Sequence, residues 1–201
     1  MEAQARFRLR ITFEKLGNLA FLSHLEVTSA LERAVRRSGL PFAVSQGFSP
    51  HMKLSFGSAL PVGVGGVAEI FDVILKDYVN PNDALESLKQ ATGDGLRVID
   101  CKYIDNKAPA ASVAFEHSTY ECIYDGEIPD FDVPETIEVV RKKKTKVLNV
   151  DDYLEEMPTI DGQKIVCMLR SSQAGALRID RLLDSFQIET PLISITRTSQ
   201  F

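Results

Sequence analysis

Cysteine is scarce in this chain: Cys101, Cys122 and Cys167 lie far apart, and none belongs to a CxxC pair. An odd number of separated thiols builds neither a disulfide framework nor a zinc site. It also falls short of the closely spaced thiolates that a four-iron cluster needs. Each cysteine sits inside an apolar or alternating run, which reads as a core thiol. No apolar run reaches the length that crosses a bilayer, and the opening MEAQARFRLRITF threads charges through its apolar residues where a secretory leader carries an unbroken block. A cytoplasmic location without membrane contact is therefore expected. GxxxxGK[ST], HExxH and GxGxxG are all missing, and Gly63, Gly65 and Gly66 supply only a GVGG run. No cofactor or metal is expected on these grounds.

What is present is ordinary globular material: 201 residues, 44% hydrophobic, enough for one large domain or two small ones. The net charge of −5 argues against a protein that coats nucleic acid indiscriminately. That charge is uneven. Residues 1–60 hold eight cations (Arg6, Arg8, Arg10, Lys15, Arg33, Arg36, Arg37, Lys53) against four acids (Glu2, Glu14, Glu26, Glu32), a surplus of +4 that leaves −9 for the remainder. A basic third on an acidic body either marks one defined anionic ligand or is surface charge without a partner.

Strict alternation from Arg6 to Phe13 places Phe7, Leu9, Ile11 and Phe13 on one face and Arg6, Arg8, Arg10 and Thr12 on the other, a half-buried strand. After a Leu16-Gly17-Asn18 turn, Ser23-His24-Leu25-Glu26 forms an S-x-x-E capping box before Val27, Ala30, Leu31, Ala34 and Val35 at helical spacing. That helix is expected to end at Gly39, with Arg33, Arg36 and Arg37 complementing its dipole. The loop SQGFSPHMK leads into Leu54-Ser55-Phe56, and a Gly/Pro-rich connection precedes a strand from Glu69 to Lys76. A helix from Asn80 to Ala91 and a strand through Val98 and Tyr103 complete a β-α-β-β-α-β order, the ferredoxin-like arrangement. From Ser112 a less regular version is expected: a strand at Tyr120–Tyr124, a hairpin across Glu138–Val150, a strand at Ile165–Arg170, a helix at Ile179–Phe186 and a strand at Leu192–Arg197. The expected fold is thus α+β with two tandem ferredoxin-like halves, 1–106 and 112–201, joined by a linker at 107–111 whose Lys-Ala-Pro-Ala-Ala composition suits that role.

Chemistry concentrates between Phe21 and Val64. His24 falls in the first helical turn, where the positive end of the dipole disfavours imidazolium and keeps a neutral ring for proton exchange. It also lines up with Leu31 and Val35, so a purely structural histidine is the competing reading. His51 sits in a loop with Lys53, and Ser45, Gln46, Phe48 and Ser55 add donors and a ring. Such a loop either grips a phosphate or carboxylate, helped by Arg33 and Arg37, or is simply solvated. Arg6, Arg8 and Arg10 form an auxiliary basic group, unless Asp72 on a neighbouring strand pairs with Arg8. Lys142, Lys143 and Lys144 form another, which is either a phosphate contact or a solvated hairpin tip.

Several stretches carry a resemblance. Phe21-Leu22-Ser23-His24-Leu25, Arg37-Ser38-Gly39-Leu40-Pro41, Ser45-Gln46-Gly47-Phe48-Ser49-Pro50-His51 and Leu54-Ser55-Phe56 through Leu60-Pro61-Val62-Gly63-Val64 resemble the radical SAM-linked protein family. This is a bacterial domain of unknown function, found alone or fused behind a radical SAM, cobalamin-type module. Its loop usually reads F-N-P-H-P-R, from which Ser49, Met52 and Lys53 depart while keeping a histidine and a cation. The resemblance implies a radical SAM enzyme as partner and a role in RNA modification or maturation, because members tend to be encoded beside radical SAM enzymes, ribonuclease E/G and ribosomal proteins. A more distant, fold-level likeness is to the CRISPR repeat-processing endoribonucleases. Three functions follow as expectations. The first is an accessory module that holds RNA for a radical SAM enzyme. The second is a metal-independent endoribonuclease in which His24 and His51 exchange protons while Lys53 or Arg37 stabilises the phosphorane. The third is a docking scaffold without RNA contact, built on the loop and Gly57–Gly66.

Overall fold

The computed structural model describes residues 6–141, 144–172 and 175–201. Residues up to Phe115 and from Glu116 onward form two compact units, each a mixed arrangement of helix and antiparallel sheet.

In the first unit, β1 (Phe7–Lys15) pairs antiparallel with β3 (Val64–Leu75) on one side and with β4 (Val98–Ile104) on the other, and β2 (Leu54–Phe56) adds to β3. The strand order is β4-β1-β3-β2. Two helices, α1 (His24–Arg37) and α2 (Pro81–Ala91), cover one face. The helix α1 starts where its capping box stands: Ser23 Oγ accepts from the Glu26 amide, and the Glu26 carboxylate accepts from the Ser23 amide at 2.8 Å. It stops before Gly39, whose φ of +74° is left-handed backbone that a side chain would oppose. Its apolar stripe of Val27, Leu31 and Val35 meets Leu9, Ile11, Phe71 and Val73 from the sheet and Leu88 from α2. Burial of that stripe, more than intrinsic propensity, stabilises the helix.

The other face of β1 carries the arginines, and it is not open. Arg10 stands directly across from Asp72 in the β1–β3 register, and Arg8 is the diagonal neighbour. Asp72 Oδ2 accepts from Arg8 Nη2 at 2.6 Å, and Oδ1 accepts from Arg10 Nε at 2.8 Å, with both guanidiniums at least nine-tenths buried. Two cations on one carboxylate leave a surplus positive charge. The carbonyls of Ala108 and Pro109 accept from Arg8 at 2.6 and 2.9 Å, and the Phe115 ring lies 5.3 Å from the Arg10 guanidinium carbon. The segment from Ala108 to Phe115 therefore closes over this face, and the 107–111 stretch packs with the first unit, Ala111 being fully buried.

In the second unit, β5 (His117–Tyr124) pairs with β9 (Lys164–Ser172) and β11 (Leu192–Gln200), and β8 (Leu154–Asp161) pairs with β9. All neighbours are antiparallel, in the order β11-β5-β9-β8. A separate hairpin of β6 (Thr136–Arg141) and β7 (Lys144–Asn149) occupies the place in the chain that α1 holds in the first unit. β10 (Gly175–Ala176) pairs antiparallel with the end of β9, and α3 (Ile179–Ser185) precedes β11. The strand β8 is absent from the sequence-based expectation because a single residue, Leu154, points inward from it. Lys142 and Lys143 lie outside the described residues, while Lys144 pairs through its backbone with Arg141. Among the described residues no helix is long and apolar enough to cross a membrane.

Removing the shared carboxylate tests how far the first unit depends on it. Asp72→Ala leaves two buried guanidiniums without a counter-charge, and urea denaturation should show a loss of about 3–5 kcal/mol. A loss below about 1 kcal/mol would mean that water already screens the cluster.

Candidate functional site

Residues 42–53 form a small hairpin at the β3 edge. Phe42 bridges to Leu75, the Ala43 amide donates to Ile74 O at 2.7 Å, and the Ile74 amide donates to Lys53 O at 3.1 Å. Above this root the Lys53 amide donates to Ala43 O, and Val44 bridges to Met52. The tip is closed by Ser45 and His51: the Ser45 amide donates to His51 O at 2.7 Å, and Ser45 Oγ accepts from the His51 amide at 2.9 Å. Met52 is buried in the core and anchors the returning arm. Gly47 turns the chain with a φ of +139°, which leaves Phe48 at the apex with its ring wholly exposed.

The last turns of α1 lie against the hairpin root. The Arg36 guanidinium carbon is 5.3 Å from the Phe42 ring centroid, while Arg36 also pairs with Glu32 at 2.6 Å. Arg37 donates to Ala91 O at 2.6 Å, tying α1 to the end of α2. Arg33 projects outward from α1. Of the residues singled out from sequence, Ser45, Gln46, Phe48, His51 and Lys53 therefore share one hairpin. The side chains of His51, Lys53 and Arg33 have no hydrogen-bond or ion-pair partner among the described residues. Ser55 lies on β2, across from Asp72. Arg6 is exposed at the start of β1, whereas Arg8 and Arg10 are committed to Asp72.

His24 belongs to a different place. Its ring meets Phe56 edge-on, with centroids 5.8 Å apart, and lines a cleft at the head of α1 with Lys15, Ser58 and Glu69. His51 is not among the residues lining that cleft; it precedes β2, whereas Phe56 ends it. Lys15 and Glu69 are both buried, with Lys15 Nζ donating to Val64 O at 3.2 Å. Gly66 lacks the side chain that would strike Glu69: a Cβ there would collide with Oε1. An ammonium, a carboxylate and an imidazole around one cleft can orient a polar group and exchange protons with it. Sequence reasoning named His24 and missed the other two. Lys15 carried a signal, since it continues the odd-numbered apolar face of β1 with a charge.

The cysteines are core thiols. Burial and the nearby Asp100 push the Cys101 thiol up to about 11, and it donates to Pro81 O at 3.0 Å. Hydrogen bonding to Cys167 and burial raise Cys122 further. Neither supplies a thiolate at neutral pH. Among the described residues no group of three or more His, Cys, Asp and Glu side chains could hold a metal ion.

The strands and helices define a mixed α+β protein with antiparallel sheets. The chain belongs to the family described as an uncharacterized protein conserved in bacteria (DUF2344), whose model matches residues 8–179. No curated protein matches it.

The cap that presents His24 is pH-sensitive. The Ser23 hydroxyl and amide hold the Glu26 carboxyl below its ordinary value of 4.5. A depressed folded value means that stabilisation is fully present above 4.5 and is lost as pH falls through the lower folded value. The urea midpoint should therefore fall more steeply below pH 4.5 in the wild-type protein than in Glu26→Gln. Equal slopes would show that the capping carboxylate contributes nothing measurable.

Proposed function

We propose that this protein is an RNA-binding accessory module, located in the cytoplasm, that works beside a radical SAM enzyme and holds RNA through hairpin 42–53. The observation that carries this reading is Phe48, an exposed ring at the apex of a braced hairpin that also carries Gln46, Ser49, His51 and, toward its base, Lys53. An aromatic side chain placed in solvent on a hairpin that also carries a lysine and hydrogen-bond donors suits the stacking of an unpaired base of a strand whose phosphates reach that lysine. A net charge of −5 fits one localised contact better than a general polyanion coat. The radical SAM partner rests on the sequence resemblance. In this reading the protein binds and presents rather than catalyses.

The same reading takes both units as ferredoxin-like. The orders β4-β1-β3-β2 and β11-β5-β9-β8 correspond strand for strand, with the β6–β7 hairpin replacing the first helix of the second unit.

A catalytic alternative draws on the head cleft, where His24 stands with Lys15 and Glu69. It requires RNA cleavage that disappears in His24→Ala, and cleavage surviving that change would end it.

Fluorescence anisotropy with a labelled single-stranded RNA checks the main reading. Phe48→Ala should weaken binding about tenfold, in line with roughly 1–3 kcal/mol per stacked base. Lys53→Ala should lower the slope of log K against log salt by about 1 in magnitude, the signature of one lost phosphate contact. Affinity that ignores both changes, or no salt-sensitive affinity at all, would overturn it.

A further inference from the structure

A second aromatic ledge lies at the same end of the first unit. Tyr78 and Tyr103 stack with centroids 5.1 Å apart and 26° between planes, and Phe7 meets both edge-on at 5.8 and 6.1 Å. The ledge is held in place: Tyr103 OH accepts from the Val79 amide at 3.1 Å and donates to Val79 O at 2.9 Å, which fixes the turn that carries Tyr78. Tyr78 nevertheless remains 59% exposed, so its free surface is presented to solvent rather than used in the core. The rings line an open groove whose rim includes Arg6, Asp105, Asn106 and Lys107, all of them exposed. Asn106 Nδ2 donates to Arg6 O at 2.8 Å and ties the two sides of the rim together.

Sheet register relates this groove to the hairpin. Leu75 pairs with Phe7 on one side and bridges to Phe42 on the other. The strand carrying the groove and the root of the hairpin are thus two strand spacings apart, roughly 10 Å.

We propose that the Tyr78 groove is a second base-stacking site, taking another base of the same single-stranded RNA that contacts Phe48, with Arg6 and Lys107 beside its phosphates. The assignment rests on the RNA reading of the hairpin and deepens it by giving the strand a path across the end of the sheet. Two preformed ring surfaces linked by one strand make affinity depend on length, because only an oligonucleotide long enough to reach both gains from the second. Arg6 and Lys107 outnumber the one exposed carboxylate of the rim, Asp105, which accepts from the Lys107 amide at 2.7 Å, and this surplus favours a polyanion over an apolar peptide.

Anisotropy titrations of labelled oligouridylates of about 4, 8 and 12 nucleotides test this with wild-type protein, Phe48→Ala, Tyr78→Ala and Tyr78→Phe. Affinity should rise with length in the wild type. Tyr78→Ala should remove most of that rise, weakening the longest oligomer about tenfold. Tyr78→Phe keeps the ring and should bind as wild type. If Tyr78→Ala binds every length normally while Phe48→Ala does not, the second site is overturned and the hairpin reading stands. If no oligonucleotide binds, both fall. Loss of binding to a radical SAM protein in Tyr78→Ala, with RNA affinity intact, would make the groove a protein contact and likewise overturn the assignment.

Discussion

The first unit depends on one buried carboxylate. Asp72 receives hydrogen bonds from Arg8 and Arg10, and these bonds span β1 and β3, the two central strands of that sheet. A one-residue slip between those strands would turn the arginines toward the helices and Leu9 and Ile11 away from them. The cluster therefore enforces register through the high cost of an unpaired buried charge, even where its net contribution to stability is small. The remaining positive charge draws in the carbonyls of Ala108 and Pro109 and the Phe115 ring, so the same interaction closes the segment that ends the unit.

Register also positions the candidate site. Asp72 and Ile74 stand two residues apart on β3: the side chain of the first meets the arginine cluster, and the backbone of the second exchanges hydrogen bonds with the root of hairpin 42–53. Once β3 is fixed, the hairpin root, the Arg36–Phe42 contact and the Tyr78 turn follow from its last residues. A rigid sheet edge carrying a short braced hairpin can hold a flexible strand at low ordering cost, because the protein side is already arranged.

Much of this was readable beforehand because its signals are local. The alternation of β1, the capping box at Ser23 and the Gly39 stop each occupy a few adjacent residues, and the structure places β1, α1, β3, α2 and β4 where those signals predict, with ends shifted by a few residues and β3 starting earlier. What escaped depends on distance in the chain. The lid over Arg8 comes from about a hundred residues away, and Lys15 meets the Glu69 cleft only after β1 and β3 have paired. The strand β8 escaped for another reason. As a largely exposed edge with Glu155, Glu156 and Pro158, it shows no period-two pattern to read. The residue types of the loop around His51 suggest a ligand segment, while its hairpin geometry rests on backbone pairing that no local pattern shows.

The central claim is that RNA meets this protein at hairpin 42–53. Hydrogen–deuterium exchange with and without a saturating single-stranded RNA locates the contact directly. The account predicts slowed exchange across residues 42–53 and little change along the Gly57–Leu60 wall of the head cleft. RNA that binds while leaving 42–53 unaltered and protecting residues 57–60 would contradict it.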